Sequence, residues 1–72
     1  MSNIKLGNRL KVARAEKNLT QEQLADLVQV TRQTISSIET GQYGPSALLA
    51  FLLANKLEKP VEDLFFLEGD LE

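Results

Sequence analysis

Residues 31 to 38 read TRQTISSI, and the types and spacing of their polar side chains are the chain's clearest chemical feature. At about 100° per residue, Ile35 and Ile38 define one side of a helix. Gln33 and Ser37 then fall nearly opposite, with Arg32, Thr34 and Ser36 on the flanks. All five carry hydrogen-bonding groups, and no carboxylate interrupts them. Base edges in a major groove are read by this chemistry: arginine pairs bidentately with guanine, glutamine with adenine, and serine or threonine with several edges. An ordinary solvated helix face would carry the same residue types, so the surrounding sequence has to separate the two readings.

Composition narrows the choice. At 72 residues the chain is expected to be a single domain over 1–72, near the lower size at which a core holds without help. Cysteine and histidine are both absent, which removes disulfides, thiolate metal sites and the commonest general base. An enzyme would need an activated nucleophile, and only scattered carboxylates are at hand, so no catalytic residue is expected. A metal site at Asp63, Glu68, Asp70 or Glu72 is weakly supported, and no metal or cofactor is expected. No apolar run reaches the about 18 residues that span a bilayer, and no signal-like start is present. A soluble cytoplasmic protein without a membrane partner is the expectation. The net charge of −2 conceals a split. Up to residue 45 six basic side chains face four acidic ones, whereas from residue 46 two basic face six acidic. An acidic tail, which reads by itself as a solvated end, coexists with a mildly basic front.

Five helices can be placed from caps and apolar spacing. Asn8 caps the first, which runs to about Lys17 with Leu10 and Ala13 inward. Thr20 and Gln23 form a capping box at the second, whose buried stripe is Leu24, Ala25 and Val28. Thr31 caps the third, and Gly41 supplies the left-handed residue that ends it. Ser46 caps the fourth, which ends near Leu57, and Pro60 fits the first turn of a short fifth helix, with Glu62 and Asp63 near its positive end. The terminal extensions, 1–7 and 66–72, lie outside the helices. Residues 3 to 6 and 65 to 68 could pair as a two-stranded ribbon, with Gly7 breaking the first from its helix, or remain frayed ends.

With these elements in place the string from residue 19 to 41, LTQEQLAxxVxVTRQTISxIExG, closely resembles the helix-turn-helix of the phage repressor and Cro family, also called the Xre family. The stretch from about residue 8 to 65 resembles its small stand-alone members. The resemblance implies an all-α, five-helix fold with a central helix-turn-helix, and sequence-specific binding of double-stranded DNA as a homodimeric regulator, a repressor, at an inverted-repeat operator. It implies roles for particular residues. Arg32, Gln33 and Ser37 match the first, second and sixth recognition-helix positions, which in the family face bases, with Thr34 and Ser36 as neighbours. Gln21 matches a position that hydrogen-bonds a DNA phosphate, and Thr31 one that touches the backbone as well as capping. Tyr43 lies in a loop that in the family passes close to the sugar-phosphate chain, or it anchors that loop. Arg14 and Glu39 match positions that in some relatives form a partly buried ion pair between the first and third helices.

The chain departs from the family pattern in three features. Gln29 stands where the turn between the second and third helices usually has glycine, at a cost of about 1 kcal/mol if the backbone there is left-handed. Gln42 and Thr40 stand where lysine and asparagine are common, which removes a phosphate contact. In the fourth helix Leu49, Leu53 and Leu57 suffice to cover the core, yet Leu48, Phe51 and Leu52 line the other side. A helix apolar nearly all round must be covered twice. The expectation is a homodimer through Leu48, Phe51 and Leu52, extended by Val61, Leu64, Phe65 and Phe66. The alternative cover is the C-terminal residues folding back. A different class of function also fits this surplus: a protein-interaction module, an antitoxin or adaptor, that binds a protein partner through the fourth helix while DNA binding is secondary.

Overall fold

The computed structural model describes residues 3–69. Strand β1 (Lys5–Asn8) leads into α1 (Leu10–Glu16), α2 (Gln21–Val28), α3 (Arg32–Glu39), α4 (Ala47–Leu57) and α5 (Val61–Leu64), and β2 (Phe65–Glu68) closes the order. The fold is all-α, with five helices, a central helix-turn-helix and a small antiparallel ribbon.

Local sequence starts the helices. Thr20 Oγ1 accepts from the Gln23 amide at 3.0 Å while Gln23 Oε1 accepts from the Thr20 amide at 2.8 Å, so two otherwise orphaned donors are satisfied. Thr31 and Ser46 accept from the Thr34 and Leu49 amides in the same way. Helix ends are less conventional. Gly41, with φ of 82°, follows α3, but Asn18, Gln29 and Glu58 adopt the left-handed conformation after α1, α2 and α4 at φ of 57°, 61° and 57°. At each of these three the next amide reaches back to close the last turn: Leu19 to the Arg14 carbonyl, Val30 to Ala25 and Lys59 to Ala54.

The apolar stripes meet in one core, where Leu10, Leu24, Ile35, Ile38, Leu53, Leu57 and Leu64 are wholly buried. The ribbon pairs Lys5 with Glu68, Leu6 with Leu67, Gly7 with Phe66 and Asn8 with Phe65. Phe65 enters the core from it. Residues 5–7 and 66–68 of the terminal extensions are therefore strand. Gly7 does not separate the first strand from its helix but lies inside the strand, opposite Phe66, where the Phe66 ring and Glu68 side chain cross the space a Cβ would fill.

Pairing moves two other boundaries. Asn8, expected as the first N-cap, is held extended opposite Phe65, and α1 has Arg9 as its N-cap, without a side-chain bond. Asn8 still serves the helix from the strand, accepting from the Leu10 amide at 3.1 Å and donating through Nδ2 to the Ile38 carbonyl at 3.0 Å. Pro60 is the N-cap of α5 and not part of its first turn.

Leu64, expected at a dimer interface, is wholly buried in its own chain. Its carbonyl accepts from the Arg9 amide at 2.8 Å, which pins the end of α5 against the start of α1 and turns the side chain inward. Phe66 is half-buried, with the Arg9 guanidinium 4.7 Å from its ring centroid, so its own chain already covers much of it. Leu48 and Phe51 are 71% and 61% exposed and Leu52 is at the edge of exposure. Among the described residues the C-terminal segment does not fold back over them: it is in the ribbon.

Candidate nucleic-acid interface

Ile35 and Ile38 are inserted into the core, and this fixes the rotation of α3 about its axis. The opposite side is thereby turned outward. Arg32 and Gln33 are exposed, and Thr34, Ser36 and Ser37 are partly so. Gln33 Nε2 lies 3.4 Å from Ser37 Oγ, one helical turn on, so the two share one face. Gln33, Thr34 and Ser37 line a shallow hollow of about 240 Å³ together with Tyr43, which is half exposed. The loop after α3 puts Tyr43 there: the Gln42 and Tyr43 amides both donate to the Ser37 carbonyl, at 2.9 and 3.2 Å. Tyr43 thus borders this face of α3, and its amide helps to hold the loop against the helix. Ser36 lies outside that hollow, and its carbonyl accepts from Thr40 Oγ1 at 3.1 Å.

The neighbouring helix contributes through its first residue. Gln21 donates from Nε2 to Glu39 Oε1 at 3.0 Å, and its Oε1 accepts from Arg32 Nη1 at 3.2 Å. Arg14 reaches Glu39 from α1 with a fork, Nε to Oε2 at 2.7 Å and Nη2 to Oε1 at 3.3 Å, and also donates to the Leu19 carbonyl at 2.8 Å. With side chains only 15% and 5% exposed, this pair fixes the crossing of α1 and α3 more than it adds net stability, because desolvation offsets most of the attraction. The Glu39 carboxylate, at the end of α3, is spent on internal partners. Thr31 lies at the rim, its hydroxyl accepting from the Thr34 amide at 3.2 Å and within 3.0 Å of the Thr34 hydroxyl.

The structure therefore brings Gln33, Thr34, Ser37 and Tyr43 into one hollow and Gln21 into contact with Arg32. The link from Gln21 to Glu39 has no signature in the residue pattern, since it joins the start of α2 to the end of α3. A larger cavity of about 400 Å³, between the ribbon and the loop after α3, is bordered by Leu6, Asn8, Ile38 and Tyr43 among others. Asp63 and Glu68 do not assemble a metal set, and among the described residues no three His, Cys, Asp or Glu side chains gather to hold one. Asp70 and Glu72 lie outside the described residues. Among the described residues no helix is long and apolar enough to cross a membrane.

Comparison with known proteins agrees with this geometry. The family model for the helix-turn-helix, HTH_3, matches residues 10–64. An uncharacterized HTH-type transcriptional regulator of Methanocaldococcus jannaschii is 51% identical over 63 residues, spanning 88% of this chain and 96% of the relative. The uncharacterized HTH-type transcriptional regulator YgzD of Bacillus subtilis is 44% identical over 63 residues, with the same coverage of 88% and 96%. Among solved structures, the restriction-modification controller protein C.AhdI of Aeromonas hydrophila superposes with a TM-score of 0.72 at 33% identity, covering 76% of this chain and 80% of that one.

Proposed function

This chain belongs to the helix-turn-helix family of transcriptional regulators, and from that premise we propose that it binds double-stranded DNA sequence-specifically, as a homodimeric repressor in the cytoplasm. Its likeness to phage repressor and Cro proteins is one of superfamily and does not make it a particular phage repressor. One observation carries the reading. The side of α3 opposite Ile35 and Ile38 offers Gln33 and Ser37 outward, with Arg32 exposed on its flank and no competing carboxylate.

In this reading Arg32, Gln33 and Ser37 contact base edges, with Thr34 and Ser36 beside them, and phosphates are met by Gln21, Thr31 and Tyr43. The exposed apolar side of α4, formed by Leu48, Phe51 and Leu52, is covered by a second copy. Two-fold symmetry then sets two recognition helices about 34 Å apart, in successive major grooves of an inverted repeat.

Selection of bound sequences from a random duplex pool tests the whole reading. The expected product is an inverted repeat bound by two chains, with affinity that falls as salt rises. Arg32→Ala should then lose roughly 1 to 3 kcal/mol of discrimination at one base pair per half-site. No enrichment at low ionic strength, or an equal loss on selected and random duplex, would overturn it. A second reading, an antitoxin or adaptor, draws on the same apolar face of α4. Its mark would be a stoichiometric protein partner on α4 with no shift of any duplex.

A further inference from the structure

Resting on the reading of α3 as the base-reading helix, we propose that Glu39 is a positioning residue for recognition: acting through the Gln21 amide, it fixes how Arg32 is presented to the groove.

Which groups can donate decides how the Gln21 amide is turned. A carboxylate only accepts, and a guanidinium only donates. Glu39 Oε1 takes a hydrogen bond from Gln21 Nε2 at 3.0 Å, so the NH2 end of the amide must face it. The oxygen end is then turned toward Arg32, where it accepts from Nη1 at 3.2 Å. Reversing the amide would set oxygen against carboxylate and NH2 against guanidinium, two repulsive contacts in place of two attractive ones. The side chain between Glu39 and Arg32 therefore has one self-consistent orientation, and the carboxylate selects it.

Glu39 can impose this because it is itself immobilised. Arg14 grips both of its oxygens, at 2.7 and 3.3 Å, and its side chain is 5% exposed. Gln21 lies at the first position of α2 and Arg32 at the first position of α3, so the relay crosses the two helices of the motif at their N-terminal ends. Tethering Nη1 through one donor leaves the remaining N–H groups of the fork for a bidentate contact with guanine. It also takes up, before DNA arrives, rotamer freedom that a long arginine would otherwise lose on binding.

The test uses the full chain and the duplex recovered from the random pool, with single-base variants of it. Glu39→Gln keeps shape and length but accepts either orientation of Gln21. The ratio of dissociation constants at the base pair read by Arg32 should fall about tenfold, toward the lower end of what one bidentate arginine contact carries. Affinity for random duplex should fall far less. Gln21→Met, at a half-buried position, removes both ends of the link and should lower the same ratio equally, even if phosphate binding weakens on every duplex. The double variant should lose no more than either single one. Arg14→Lys keeps a cation beside Glu39 and leaves its carboxylate to accept from Gln21 while breaking the fork, so it should lower the melting temperature and cost less of the ratio than Glu39→Gln does.

Full wild-type discrimination in both Glu39→Gln and Gln21→Met would overturn the relay. So would an equal loss in Arg14→Lys, which would trace the effect to the packing of α1 on α3. A wild-type protein that prefers no base at all would overturn the base-reading role itself, and the relay with it.

Discussion

Helices α3 and α4 make an instructive pair, because each buries one apolar stripe and they turn opposite chemistries outward. Ile35 and Ile38 anchor α3, and Leu49, Leu53 and Leu57 anchor α4. Away from the core, α3 carries arginine, glutamine, threonine and serine, whereas α4 carries Leu48, Phe51 and Leu52. Burial of the inward stripes accounts for the fold, and the outward faces could be exchanged without disturbing it. In the proposed function they answer to what would meet them from outside: hydrogen-bonding edges in one case, apolar surface in the other.

The sharpest way to break that comparison is to alter both sides of α4. Leu53→Ala empties a wholly buried site and should cost about 2 to 5 kcal/mol, read as a lowered urea midpoint. Phe51→Ser, on the outward side, should leave the fold of a single chain within about 0.5 kcal/mol. Its effect should appear in association instead: the wild-type melting temperature should rise with protein concentration, and that of the variant should not. If Phe51→Ser proves as damaging as Leu53→Ala at every concentration, the outward face belongs to the fold after all.

A smaller effect sharpens the comparison at the turn that fixes the angle of α3 on α2. Gln29 has φ of 61°, a conformation that favours glycine. Gln29→Gly should raise the urea midpoint by the equivalent of up to about 1 kcal/mol, less whatever the freer unfolded chain takes back. DNA discrimination should be unchanged, because the backbone already has the shape glycine would adopt.

The smallest effect separates surface ion pairs from the buried one. Lys17 lies against Glu58 and Lys59 lies 2.9 Å from Glu16, with both carboxylates more than half exposed and both lysines more than a third. The hydrogen bond and then the charge of Lys17 hold the Glu58 carboxyl below its usual 4.5. The stability it lends is therefore present above that value and disappears as pH falls through the lowered one. Glu16, by hydrogen bond and then charge, raises Lys59 above 10.5, so its contribution is present below 10.5 and is lost as pH rises through the raised value. Both slopes should be shallow, and salt should flatten them. Urea midpoints across acid and alkaline pH, in Lys17→Met and Glu16→Gln as well as wild type, would measure them.

These contrasts also explain how far the residues alone disclose the molecule. Thr20, Thr31 and Ser46 are legible as caps because each bonds an amide three positions on, a strictly local event. The shared face of Gln33 and Ser37 is legible for the same reason, since helical rotation alone puts them together. What eludes a linear reading depends on distant pairing. The first strand begins two residues later than the residue pattern suggests, because its register is set by Phe65 to Glu68 at the other end of the chain. Leu64 faces inward because a bond from Arg9 holds it, and Arg9 gives no hint of that in its type. The relay from Glu39 to Arg32 depends on the crossing angle of α2 and α3, which only packing determines.

The ribbon that makes the ends hard to read also imposes a schedule on folding. Pairing Lys5 with Glu68 closes nearly the whole described chain into one loop, and so distant a closure gains nothing until most of the residues between are already ordered. The α2 and α3 unit has only a three-residue loop to close and can condense first, with the strands zipping last, like a clasp on a packed case. In refolding experiments, substitutions at Leu24 or Ile35 should slow the forward rate, while substitutions at Leu6 or Leu67 should only hasten unfolding.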